Sequence, residues 1–278
     1  MSMASENAQA GVTVKDKHRV MRALGDYSTV ASRVIPDLGA VLVAAAGITA
    51  GDRVLVVAAG PGNAAIPAAL SGADVVACDL TPELLACGRL HAQQRGADLE
   101  WREADAEALP FSDGEFDKVI SCVGVMFAPD HQASADELVR VCRPGGTVGL
   151  INWTPEGFVG QMLAATKPYL PPPPAGALPP PLWGDTDHVS RLLGDRVTEL
   201  VAERRTVTVD CFPTPEAFRD FFKSNYGPTV AAYRGIEDDP RKVAALDADL
   251  VELARQHDRG TDGTVMDWEY LLVTARRR

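Results

Sequence analysis

The chain predicts an α/β fold, a mostly parallel sheet with helices on both faces. Two observations predict it. Between residues 54 and 153, short apolar runs alternate with helix-length segments, and start and stop signals separate them. That alternation is the pattern of strands joined by crossover helices. The 278 residues are also 46% hydrophobic, enough to bury a sizeable core.

In order, residues 1–12 read as a flexible tail, and residues 14–47 as helical, interrupted by the "GDY" of Gly25, Asp26 and Tyr27 and by Pro36. Strands are expected at 54–57, 74–80, 99–105, 116–123 and 147–153. A first helix is expected at 63–70. A second starts at Thr81-Pro82-Glu83, a hydroxyl at the N-cap, proline at the first helical position and an acid at the positive end of the dipole, and stops at Gly96. A third, "ASADELVRVCR", is expected to close at "PGG", residues 144–146. The proline-rich stretch at 169–183 reads as an extended excursion or lid support. Residues 197–212 predict one long strand or a bent pair, residues 214–227 and 241–258 two helices, and residues 269–277 a final strand.

Composition excludes several function classes. A net charge of −11 argues against a nucleic-acid partner, which needs a concentrated basic surface. The apolar stretch at 38–48 is too short to span a bilayer, and the polar start lacks an apolar signal segment. Five cysteines without a CxxC pair read as reduced thiols of a cytoplasmic protein. No metal-ligand spacing occurs, so no metal is expected. A small-molecule substrate and a monomer or homodimer are expected.

The stretch "VLVVAAGPGNAA", residues 54–65, is a buried strand, a turn without bulky side chains and a helix start. It exposes backbone N–H groups to a closely approaching ligand. Two readings compete. Gly60-x-Gly62-x-x-Ala65 with Asp79 fits a dinucleotide loop, and hence an NAD- or FAD-dependent oxidoreductase. The other is the loop for S-adenosylmethionine (SAM). The run "DAEALPFSDGEFDKVIS", residues 105–121, favours SAM. It puts Asp105 at a strand end beside the crevice of an open α/β sheet, where a carboxylate accepts from an adenine amino group. Asp79 is placed to take both ribose hydroxyls. Two carboxylates and a loop with no basic residue suit a nucleoside without phosphates.

The strings "GDRVLVVAAGPGNAAIPAA", "VVACDLTPELL", "DAEALPFSDGEFDKVIS", "ELVRVCRPGG" and "NWTPEGFVG" resemble, in order and spacing, the class I SAM-dependent methyltransferases. Within them the chain is most similar to the ubiquinone/menaquinone C-methyltransferase-like group. The resemblance implies a Rossmann-like, seven-stranded, mostly parallel sheet in a single domain, residues 13–278. That domain would comprise an N-terminal helical cap (13–50), a SAM-binding core (51–153) and lid excursions (154–190 and 213–265). It also implies methyl transfer from SAM to a small, apolar or aromatic metabolite of secondary metabolism, with S-adenosyl-L-homocysteine (SAH) as product.

Carried over by position, Ala58, Gly60, Gly62 and Asn63 would wrap the methionine end of SAM. Asp79 would hold the ribose, Leu80 would pack on adenine, and Asp105 and Ala106 would read its edge. The backbone around Ser121 and Cys122 would face the amino group, and Tyr27 would close over the cofactor. The chain departs from the family loop at Val56, where an acid is usual, and at Pro61, where threonine is usual. An uncompensated loss of that acid costs on the order of 1–3 kcal/mol of affinity. These departures keep open a SAM-fold protein that binds without transferring methyl.

For the chemistry, His131 in "APDH" is the base candidate, with an ordinary pKa near neutrality, and Tyr226 at a helix end is the second catalytic candidate. Trp153 and Phe222 are expected at the acceptor, with Glu156 nearby and His18 in the helices above the site.

Overall fold

The computed structural model describes residues 19, 24–173 and 176–278. His18, residues 1–12 and most of residues 13–23 lie outside the described residues. One seven-stranded sheet runs through the molecule in the order β3-β2-β1-β4-β5-β7-β6. Its strands are β1 (Arg53–Val57), β2 (Asp74–Asp79), β3 (Glu100–Glu103), β4 (Phe116–Cys122), β5 (Cys142–Trp153), β6 (Val197–Val209) and β7 (Met266–Arg277). The first five are parallel, with Leu55 beside Val76 and Val119, and β7 runs antiparallel to both β5 and β6. Chain order reverses at β1 and β4, so the crevice beyond their carboxyl ends is where a ligand is expected.

The helices are α1 (Tyr27–Val34), α2 (Leu38–Ala45), α3 (Ala65–Leu70), α4 (Pro82–Arg95), α5 (His131–Val141), α6 (Phe158–Thr166), α7 (Thr186–Leu193), α8 (Pro215–Asn225), α9 (Gly227–Arg234) and α10 (Pro240–His257). Their starts follow local chemistry. Asp26, Asp130, Asp185, Thr214 and Asp239 accept from backbone amides of their first turns. At α4, Thr81 occupies the N-cap without a side-chain bond, and its own amide donates to Asp79 Oδ1 at 2.9 Å. Among the described residues, no single helix is long and apolar enough to cross a membrane.

Several boundaries differ from the sequence reading. β5 starts at Cys142, five residues early. Phe116 pairs with Cys142 and Lys118 with Thr147, so "RPGG" forms a wide bulge inside the strand. α5 accordingly starts at His131 and ends before the bulge. β6 is one strand, with a register shift between Thr198 and Val201 where Glu199 has φ +51°. β3 stops at Glu103, leaving Asp105 in a turn bridged to Ala108. The proline-rich excursion returns through a 3-10 turn, Pro180–Gly184, whose Trp183 is fully buried.

Candidate functional site

One cavity opens at the carboxyl ends of β1 to β5. It is lined in turn by Ala58, Gly60, Pro61 and Asn63 after β1, Asp79 and Leu80 at β2, Ala104 to Ala106 after β3, and Cys122 to Val125 after β4. The loop after β1 is held from two sides. Ala58 and Gly60 adopt left-handed φ of +51° and +54°, and a Cβ built on Gly60 meets no protein atom within 4 Å. That face is open to a ligand. Behind the loop, Gly39 of α2 lies so close to the Asn63 backbone that a Cβ there would sit 2.0 Å from the Asn63 carbonyl oxygen.

Asp79 ties the same loop to β2. Its Oδ2 accepts from the Gly60 amide at 2.9 Å while Oδ1 accepts from Thr81. Asp105 Oδ1 accepts from the Glu107 amide at 3.0 Å, which fixes the turn beside Ala106. Among the described lining residues Arg19 is the one cation, with Nη1 3.5 Å from Glu103 Oε1. Two carboxylates, a small-residue loop with an open face and no basic group in that loop fit SAM, a positively charged nucleoside without phosphates.

Of the expected cofactor residues, Tyr27, Ala58, Gly60, Asn63, Asp79, Leu80, Asp105, Ala106 and Cys122 line this one cavity. Two do not. Gly62 is buried, and a Cβ there would lie 2.9 Å from the Trp101 ring and 3.0 Å from Ile66, so it serves helix packing. Ser121 is buried between strands: its hydroxyl donates to the Val57 carbonyl at 2.7 Å and accepts from the Val125 amide at 3.0 Å. Burial pushes the neighbouring Cys122 thiol up to about 12, so it stays protonated at neutral pH.

The other end of the cavity is aromatic and aliphatic. Trp153, Phe222 and Tyr226 line it as expected. Tyr226 meets Tyr27 edge-on at 5.8 Å and Phe222 at 5.5 Å, and Trp268 lies 5.9 Å from Trp153. Val30, Ala31, Val34 and Ile35 of the α1 segment, Phe127 to Pro129, Val159, Met162 and Trp268 also line the cavity. Sequence reading missed all of these. Val30 and Val34 do carry helical i, i+4 spacing and Val159 and Met162 i, i+3, but such stripes are read as core. Trp268 has no local signal.

His131 corrects the sequence reading outright. It is 1% exposed, lies outside the cavity lining, and packs against Trp183 with ring centroids 5.6 Å apart. Its Nδ1 is 3.0 Å from His188 Nε2. Burial first, then the second imidazole, pull its pKa down to about 4, so it is neutral over the physiological range. A connection through the 3-10 turn Val125–Phe127 and the Asp130 N-cap brings it against Trp183 of the excursion. Glu156 also lies outside the lining, and pairs with Arg204 at 3.3 Å on the surface. No group of three or more metal-ligating side chains occurs among the described residues.

The chain matches the family model described as "Methyltransferase domain" over residues 55–150. An uncharacterized protein of Mycobacterium tuberculosis is 55% identical over 271 residues, 98% of both chains. Demethylmenaquinone methyltransferase of Thermus thermophilus is 33% identical over 171 residues, 60% of this chain and 70% of the relative. Among solved structures, the YcgJ protein of Bacillus subtilis superposes with a TM-score of 0.58 at 16% identity, over 86% of this chain and 97% of that one. Geranyl diphosphate methyltransferase in complex with SAM superposes with a TM-score of 0.51 at 17% identity, over 86% and 84%. The dinucleotide and non-catalytic readings of the loop therefore give way. The chain belongs to the class I SAM-dependent methyltransferases, and transfers a methyl group from SAM to a small molecule.

Proposed function

We propose that the acceptor is a small, largely apolar or aromatic metabolite, and that the enzyme acts in secondary metabolism. One observation carries the acceptor class. From Cys122 to the C-terminus, every described residue lining the cavity is apolar or a tyrosine. A charged acceptor would lose its hydration there without a compensating partner. The Thermus thermophilus relative carries demethylmenaquinone in its name, in keeping with an apolar acceptor.

When bound, SAM supplies an electrophilic methyl on sulfonium. The chain's own residues then have to align and desolvate the reactants. In this reading Asp79 and Leu80 take the ribose and adenine, Asp105 and Ala106 the adenine edge, and the loop from Ala58 to Asn63 the methionine end. Trp153 and Phe222 hold the acceptor ring, Tyr27 closes over the cofactor, and the Tyr226 hydroxyl orients the acceptor's nucleophile. No carboxylate or imidazole lines that half among the described residues, which favours an acceptor that is nucleophilic without a strong protein base. Residues 51–153 form the cofactor-binding core of a single domain, with the described parts of 13–50, 154–190 and 213–265 as its roof. A cytoplasmic monomer or homodimer completes the proposal.

The test has two stages. Calorimetric titration with SAH, with NAD and FAD as controls, should give micromolar binding of SAH alone. Transfer of labelled methyl from SAM should then favour neutral aromatic acceptors. Faster turnover of anionic or ammonium-bearing acceptors would overturn the proposed acceptor class.

A further inference from the structure

We infer that Arg140, paired with Glu137, is a positioning residue for adenine recognition, holding the turn of Asp105 and Ala106 in place against the cofactor. The inference rests on the reading that Asp105 accepts from the adenine amino group.

The geometry centres on the loop between β3 and β4, which carries Asp105 and then runs as "EALPFSDG" along α5. Arg140 Nη2 donates to the Leu109 carbonyl at 2.9 Å, and Nη1 to the Phe111 carbonyl and to Asp113, both at 2.8 Å. Glu137 answers from the same helix. Its Oε2 accepts from the Leu109 amide at 2.6 Å, and both its oxygens accept from Arg140, at 2.6 and 2.7 Å. One forked ion pair thus satisfies both backbone groups of Leu109. The Ala108 amide next to it donates to the Asp105 carbonyl at 3.0 Å, which passes the constraint to the turn itself.

A second contact makes α5 a splint along the loop. At the helix start, the Asp130 amide donates to Glu107 Oε1 at 2.8 Å. Loop and helix are therefore joined at both ends of α5, with Asp105 next to one junction. The fork is not a solvated surface pair, because the side chains of Arg140 and Glu137 are 30% and 16% exposed. An arginine fork spans two carbonyls and two carboxylates at once; a lysine offers one point charge.

Binding of SAH and of S-inosyl-L-homocysteine, measured by calorimetry, tests the inference. The inosyl analogue carries an oxygen acceptor where adenine has its amino donor. Wild type should prefer SAH by about tenfold or more. Arg140→Lys should bind SAH about tenfold more weakly while its affinity for the analogue changes little, so the ratio falls toward one. A purely structural role would weaken both ligands together. A folded Arg140→Lys that keeps the wild-type ratio overturns the inference. Should Arg140→Lys fail to fold, Glu137→Gln keeps an acceptor for the Leu109 amide, removes the ionic fork and carries the same test; an unchanged ratio there overturns it equally. Wild type that binds both ligands alike removes Asp105 as the reader, and the inference with it. Wild type that binds neither removes the cofactor reading as well, so the two failures are distinguishable.

Discussion

Asp79 at the end of β2 accepts the Gly60 amide at 2.9 Å, and so ties one strand end to the loop that follows its neighbour β1. Its second oxygen holds Thr81, which aligns the start of α4. Removing the carboxylate therefore removes an expected ribose acceptor and loosens the loop together. Asp79→Ala should weaken SAH binding on the order of 100-fold, the sum of two lost charged hydrogen bonds. A calorimetric loss of less than about threefold would remove Asp79 from the site.

Val56 replaces the acid usual in the family loop, and it is 1% exposed in a central strand between Ala77 and Ile120. With the Gly60 amide already held by Asp79, an acid at 56 enters apolar surroundings. Val56→Asp should lower stability by about 3 kcal/mol without tightening SAH binding. Denaturant melts and a titration read the two parts separately, and tighter binding would show that the loop lacked a partner.

Tyr226→Phe keeps the rings against Tyr27 and Phe222 and removes only the hydroxyl. The affinity for SAH should stay within about twofold, while kcat falls by roughly tenfold from one lost hydrogen bond. Equal loss in both would make the residue part of the cofactor wall and not of the acceptor site.

His131 makes stability depend on pH. Its folded pKa of about 4 lies below the ordinary 6.5, because burial and His188 disfavour the charged form. The unfolded chain takes up this proton first as pH falls. The stability of the neutral imidazole is complete above about pH 6.5 and is lost progressively down to pH 4, to a total of about 3 kcal/mol. His188 is lowered by burial and by Arg191, so it acts in the same direction. Urea melts between pH 7 and 4 should show this slope, and His131→Asn should flatten it. An unchanged slope would place the acid sensitivity elsewhere.

Local chemistry made much of the core legible. Apolar strand runs, the Thr81-Pro82 helix start and the Gly96 stop all depend on neighbours in sequence, and they appear within a few residues of the expected positions. Asp79 and Asp105 were legible because strand ends in a parallel sheet converge on one edge. The "RPGG" bulge was not, since a Pro-Gly-Gly run reads as a stop until pairing with β4 is known.

The sequence by itself determined the parallel α/β core, the loop after β1 and the carboxylates Asp79 and Asp105 beside it, because periodicity, capping and turn chemistry act over a few residues. Only the tertiary structure decided which side chains share the acceptor half. Val34, Phe127, Met162 and Trp268 come from four separate segments, and their apolar character marks them equally for core or cavity. It also decided against His131, whose imidazole type suggested a base. Burial under Trp183 is a contact across 52 residues, and no local pattern encodes it.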